Sequence, residues 1–273
     1  MMIHSSNRPV IGVLCSSRLI NDGCFNIVLD KYLDALNRIS GCDSLLIPTT
    51  SEMVVIPSLI TRVDGILLPG ARTMVHPSAY GEEEAYEQHE FDSRRDEVAF
   101  ALVRYAVKTK MPLFGICRGM QEIVCALGGS LHQDLDCLQR PILNHHTPTV
   151  STYEEKYLPV HAIHISDGGM LDDIAKNAGL ERQVNVNSLH NQCVHIIPKC
   201  LRVEAWSEDG VTEAVCSVNS SHWLIGVQWH PEWHEDLMPI NAQLFKSFGM
   251  ACREFAGRSI NQSSSIRIFQ NQW

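Results

Sequence analysis

The chain lacks any uninterrupted apolar run approaching the ~20 residues that a helical bilayer span requires, and Met1 to Val10 holds no apolar segment of signal-peptide length. A cytosolic protein without a membrane partner is therefore expected. Positive charge is scarce: 22 Lys and Arg stand against 31 Asp and Glu, for a formal net charge of -9. Binding nucleic acid needs a dense basic face, so that class is excluded and a small-molecule partner is expected instead. The 10 cysteines include no Cys-x-x-Cys pair; scattered through a mid-sized chain without an export signal, they read as reduced thiols. There is no internal repeat and no linker. With 45% hydrophobic and 19% charged residues and dispersed Gly and Pro, coiled-coil, collagen-like and disordered classes are excluded.

What is present is an alternation of short apolar runs with amphipathic segments. Runs at Val10–Leu14, Leu45–Pro48, Val63–Leu68 and Pro112–Ile116 have strand length. Between them, Leu29, Leu33 and Leu36, and then Val98, Leu102 and Tyr105, repeat at helical spacing, with Gly41 as a stop after the first set. Alternating strands and helices predict a parallel sheet covered on both faces. In the second half, runs at Val160–Ser166, Leu201–Trp206, Val211–Val218 and Trp223–Trp229 follow in quick succession, separated by turns such as Glu208-Asp209-Gly210, and predict antiparallel hairpins. One domain over residues 8–256 is expected, closed by an amphipathic helix around Leu237–Phe255 and followed by a mobile polar tail, 257–273. The acidic stretch Gly81–Asp92 reads as a solvated loop.

The segment Pro112 to Gly128 carries the most chemistry. Met120, Ile123, Val124 and Leu127 at i, i+3, i+4 and i+7 start a helix directly after Cys117, which itself follows a strand, and Gly115 and Gly119 flank the cysteine at -2 and +2. Small flanks suit a nucleophile on a strained strand-to-helix elbow. The first helical turn offers unpaired N–H groups and a positive dipole end, which favour a thiolate. A distant base is supplied by Gly226-Val-Gln-Trp-His230-Pro-Glu232: His230 is suited to shuttle a proton near neutrality, and Glu232 is placed to orient its ring.

The strings Gly115-Ile-Cys117-Arg-Gly-Met-Gln121 and Gln228-Trp-His-Pro-Glu232 resemble the class I glutamine amidotransferase superfamily, also classed as peptidase family C26. Within it the chain resembles the γ-glutamyl-γ-aminobutyrate hydrolase branch, at Asp64 to Gly70, at Cys117-Arg-Gly119, at Val186 to His190 and at Gln228 to Trp233. The likeness runs from about Pro9 to Phe255. It implies a flavodoxin-like three-layer αβα fold with a mostly parallel central sheet and additional antiparallel strands in the second half. It further implies Cys117 as nucleophile, His230 as acid and base, Glu232 as orienting carboxylate, and no cofactor. The oxyanion hole would combine the backbone N–H of Arg118 with one from the turn Pro69-Gly70-Ala71, where Ala71 departs from the second glycine of many relatives. Gln121, Ser188, His190 and Gln192 would line the γ-glutamyl pocket.

Two readings of the shared thiol chemistry stay open: a free-standing hydrolase of γ-glutamyl amides, or an amidotransferase subunit handing ammonia to a synthase. The absence of a synthase segment and the hydrolase-like context of Asn187 to His190 favour the first; a homo-oligomer is compatible with either. Arg18, Arg72 and Arg94 are candidates to meet an anionic leaving group. No metal is expected. His230-Pro-Glu-Trp-His234 has neither zincin order, and Pro231 disfavours a helix there. The His145-His146 pair reads as polar surface.

Overall fold

A computed structural model describes residues 8–49, 55–83, 90–138 and 141–270. Its main sheet has nine strands in the order β4-β1-β5-β6-β13-β12-β11-β8-β9. The five parallel ones are β1 (Val10–Leu14), β4 (Asp43–Ile47), β5 (Gly65–Leu68), β6 (Leu113–Ile116) and β13 (Leu224–Val227). Numbered among themselves they run 2-1-3-4-5, the flavodoxin-like order. From β13 outward the sheet turns antiparallel through β12 (Thr212–Ser217), β11 (Leu201–Ser207), β8 (His161–Ile165) and β9 (Gln183–Val186). The α/β class and the mixed sheet expected from the sequence are both present. Two small pairs had no clear sequence signal: the hairpin β2 (Ser16–Ile20) with β3 (Gly23–Ile27), and β7 (Ser130–His132) with β10 (Cys193–Ile196).

Period-2 alternation divides the strand side chains between two cores. Ile11, Val13, Leu67, Phe114 and Ile116 face α1 (Asp30–Ala35), α5 (Met170–Asn177) and α6 (Pro239–Gln270). Leu14, Ile66, Leu68 and Leu113 face α2 (Val55–Ile60), α3 (Ser93–Thr109) and α4 (Arg118–Ala126). This is the three-layer arrangement. The first helix differs in detail from its expected stripe: Leu29 lies outside it and is exposed, and Tyr32, Ala35 and Leu36 supply the buried face. The helix then unwinds into a π-turn, Leu36–Ser40, which ends on Gly41 at φ +63°. At the other end, α6 continues to Gln270, past the expected stop near Phe255 and through the polar stretch read as a tail. Most of the acidic loop, residues 84–89, lies outside the described residues.

A candidate active site at the carboxyl ends of the parallel strands

Three strand ends converge at one point. Cys117 follows β6, Gly70 lies two residues after β5, and His230 lies three residues after β13. Ligands of open α/β sheets bind in the crevice outside the carboxyl ends of the strands, and the site lies there. Cys117 adopts φ 51° and ψ -107°, a conformation that costs an L-residue about 1–3 kcal/mol and persists only where surroundings over-determine it. They do so on both sides. Its N–H donates to Val227 O at 2.7 Å, and a Cβ on Gly119 would sit 1.9 Å from the carbonyl oxygen of Leu68. The elbow therefore closes only with glycine at position 119.

The expected triad residues come together. His230 Nδ1 and Glu232 Oε1 are 2.8 Å apart, and both side chains are buried. Gly70 shows how tightly His230 and Cys117 face each other, because a Cβ there would lie 2.7 Å from His230 Cε1 and 3.4 Å from Cys117 Cβ. Burial pushes the His230 imidazolium toward its neutral form, but the Glu232 carboxylate and Cys117 act the other way and raise its pKa to about 10. The arrangement favours a protonated ring between two acids. Asn187 holds the same turn from the backbone side: His230 N–H donates to Asn187 Oδ1 at 2.8 Å, and Asn187 Nδ2 donates to His230 O at 3.0 Å.

Several neighbours carry no recognisable motif. The Tyr32 hydroxyl accepts the Gly70 N–H at 3.0 Å and lies 3.4 Å from His230 Nδ1, so one group of α1 touches both the turn and the base. Burial, then the Glu232 carboxylate, pushes this phenol well above its ordinary pKa, so it stays protonated. Beneath the elbow, Arg118 and Arg95 share the buried carboxylate of Glu122, and Arg118 also binds Asp96 at 2.7 Å. Arg118 further donates to Thr73 O at 2.8 Å, and Arg95 donates to Pro69 O. This buried ion cluster anchors the Pro69–Thr73 turn on which the second oxyanion donor is sought. Tyr32 and Arg95 are distant in sequence from every motif, and only packing identifies them.

The site opens into a cleft of about 1020 Å³ lined by Tyr32, Gly70, Ala71, Cys117, Arg118 and Gln121, with His190, Gln192 and His230 across from them. Gln121 Nε2 donates inward, to Gln192 O at 3.0 Å and Gln228 Oε1 at 3.2 Å, and Gln228 Nε2 lies 3.6 Å from Cys117 Sγ. Ser188 does not border the cleft as expected; its hydroxyl turns back to His145 O at 3.2 Å. His145 is not surface either, being 0% exposed, whereas His146 is half-buried against Asp136. Arg18 and Arg72 line the cleft, but Arg94 points elsewhere, toward Cys24. Arg18 is paired with Glu90 at 2.9 Å.

Known proteins are similar to this chain. The γ-glutamyl-γ-aminobutyrate hydrolase PuuD of Escherichia coli K12 is 36% identical over 247 residues, covering 90% of this chain and 94% of the relative. Protein NtpR of Enterococcus hirae is 30% identical, with 88% of this chain and 98% of the relative covered. Among solved structures, a candidate GMP synthase component from Thermoplasma acidophilum shares the fold at TM-score 0.61 and 16% identity, covering 93% of this chain and 98% of that one. No helix among the described residues is long and apolar enough to cross a membrane. The Peptidase C26 profile matches residues 9–232, from the first strand to the carboxylate that holds His230, and the chain belongs to that family.

Proposed function

We propose that the protein hydrolyses γ-glutamyl amides by itself, with γ-glutamyl-γ-aminobutyrate as the preferred substrate and glutamate and γ-aminobutyrate as products. The observation that carries this reading is the strained Cys117 elbow facing a His230 held by Glu232; the relative from Escherichia coli supplies the substrate. Cys117 Sγ attacks the γ-carbonyl carbon, and the oxyanion forms at the start of α4 against the Arg118 N–H. Because the Gly70 N–H is committed to Tyr32, Ala71 is the turn residue left to supply the second donor. His230 then protonates the leaving nitrogen, the C–N bond breaks, and a γ-glutamyl thioester remains. Water deprotonated by His230 attacks that carbonyl, the C–S bond breaks, and glutamate leaves.

Gln121 spends its N–H groups inside the protein, which leaves its oxygen for the substrate's α-ammonium, beside His190 and Gln192. Arg72, on the cleft wall, is the cation we assign to the distal carboxylate in a protein of net charge -9, with Arg18 joining it only on leaving Glu90. We place the enzyme in the cytosol, in keeping with the free thiols of the described cysteines. The purified chain, assayed alone on a panel of γ-glutamyl amides, tests the reading through glutamate release. Strong turnover of γ-glutamyl-γ-aminobutyrate, weak turnover of glutamine, and a KM about tenfold higher when the distal carboxylate is capped (about 1.4 kcal/mol) are expected. Equal turnover of all three would remove the distal carboxylate from recognition. Activity on glutamine that depends on an added synthase would instead identify an ammonia-delivering subunit.

A further inference from the structure

Behind the cleft wall, four ionisable side chains meet with their electron pairs unmatched. Glu213 of β12 is fully buried, and neither carboxylate oxygen has a hydrogen-bond partner. Around Glu213 Oε1 stand His145 Nδ1 at 3.5 Å, His161 Nε2 at 3.6 Å and His190 Nε2 at 3.8 Å. These separations are too long and too converging for a set of hydrogen bonds. His161 Nε2 and His190 Nε2 are likewise buried without a partner.

The outer nitrogen of each ring decides what the inner one can offer. His190 Nδ1 lies 2.9 Å from Gln192 O and His161 Nδ1 lies 3.2 Å from Ala162 O; a carbonyl only accepts, so each of these nitrogens carries the proton. His145 Nε2 is 3.0 Å from Asp209 Oδ2, again an acceptor. The three inner nitrogens therefore present lone pairs. His145 Nδ1 also lies 3.2 Å from Ser188 Oγ, whose single proton can go to that lone pair or to His145 O, also 3.2 Å away. Three lone pairs and a carboxylate aimed at one point repel one another unless a proton or a metal ion lies between them.

We infer that His145, His190 and Glu213, with His161 as fourth donor, form a closed site for a divalent transition-metal ion, zinc above all. The donor atoms of His145, His190 and Glu213 all lie within 4.8 Å of one another. A tetrahedral shell with bonds of about 2.0–2.2 Å spaces neighbouring donors about 3.3–3.6 Å apart, so three donors need a modest side-chain adjustment; His161, 3.6 Å from Glu213 Oε1 but outside that group of three, has to move further to complete the shell. Imidazole and carboxylate donors suit zinc, and four protein ligands without an open position make a structural site. Hydrogen bonds from each outer ring nitrogen to a carboxylate or carbonyl are the support that orients metal-bound histidines. The ion would tie β12 and β8 to the loops carrying His145 and His190. His190 borders the cleft, and the Gln192 carbonyl that it shares with Gln121 links the site to the substrate wall. The inference stands whether or not the hydrolase reading does.

Metal analysis of the full chain, purified without chelator, is the test, followed by refilling of chelator-treated protein with Zn²⁺ or Co²⁺ alone. About one zinc per chain is expected, together with an intense visible Co²⁺ spectrum of the tetrahedral type. Tm should rise by about 5 °C or more with zinc near 100-fold its Kd. Glu213→Gln and His145→Ala should each lower occupancy at least tenfold, while His146→Ala, beside the site but outside it, should leave it full. If the first two variants do not fold, the stoichiometry and Co²⁺ spectrum of the parent decide. Occupancy below about 0.1 ion after refilling, or zinc retained unchanged by folded Glu213→Gln, would overturn the site and leave a proton-bridged cluster.

Discussion

At the scale of single residues, Cys117 is set apart from the other cysteines by its backbone. It alone stands at φ 51° at the start of a helix beside a buried His and Glu pair. Cys117→Ala should abolish turnover with the fold retained, and iodoacetamide should label this thiol first; activity within tenfold of the parent would remove it from the reaction. His230→Asn should cost about 10³ or more in kcat, because proton delivery to the leaving amine has no substitute, and Glu232→Gln should cost less, since it only loosens orientation. The folded-state pKa of His230, raised to about 10, also has a thermodynamic sign. A raised value stabilises the fold fully below the unfolded pKa of about 6.5 and loses that contribution as pH climbs through the folded one. The Tm advantage of the parent over His230→Asn should therefore shrink between pH 6.5 and 10, and a difference growing in that window would reverse the assignment.

At the scale of elements, the elbow depends on the contact between α4 and β5. A methyl at position 119 would meet the Leu68 carbonyl at 1.9 Å, and backbone on both sides cannot yield as a side chain would. Gly119→Ala should destabilise by about 3 kcal/mol or more, a fall in Tm of about 6 °C or more. The ion cluster of α3 and α4 makes a similar claim. Glu122→Ala would leave the buried guanidinium groups of Arg95 and Arg118 without their shared carboxylate, at a cost of about 3–5 kcal/mol in denaturant unfolding. A loss below 1 kcal/mol would mean that Asp96 and the turn carbonyls suffice. Helix α4 was legible in the sequence because its apolar stripe starts directly after the nucleophile. The first helix was misaligned because Leu29 fits the same spacing yet lies before the helix, and only tertiary packing selects Tyr32 for the buried face.

At the scale of the molecule, α6 seals one face of the sheet through Ile240, Leu244, Phe245, Phe248 and Cys252, all fully or almost fully buried. Ending the chain after Ala256 should thus leave Tm within about 2 °C and activity intact, whereas ending it after Gln243 should expose the core and prevent folding. Loss of activity in the chain ended after Ala256 would give the polar terminus a role in the site.

The sequence by itself determined the α/β class, the strand-to-helix turn at Cys117 and the pairing of His230 with Glu232, because each depends on periodicity or on neighbours within a few residues. It could not place His145, which in a proline-flanked loop resembles any surface histidine, nor join it to His161, His190 and Glu213 from three other segments. Tyr32 against Gly70 and Arg95 against Pro69 were equally hidden. Such contacts span tens of residues, and their partners are chosen by the register of the sheet and the burial of charge. Local pattern records the propensity of a segment to form an element; only the packed molecule brings distant polar atoms within reach and requires each of them to find a partner.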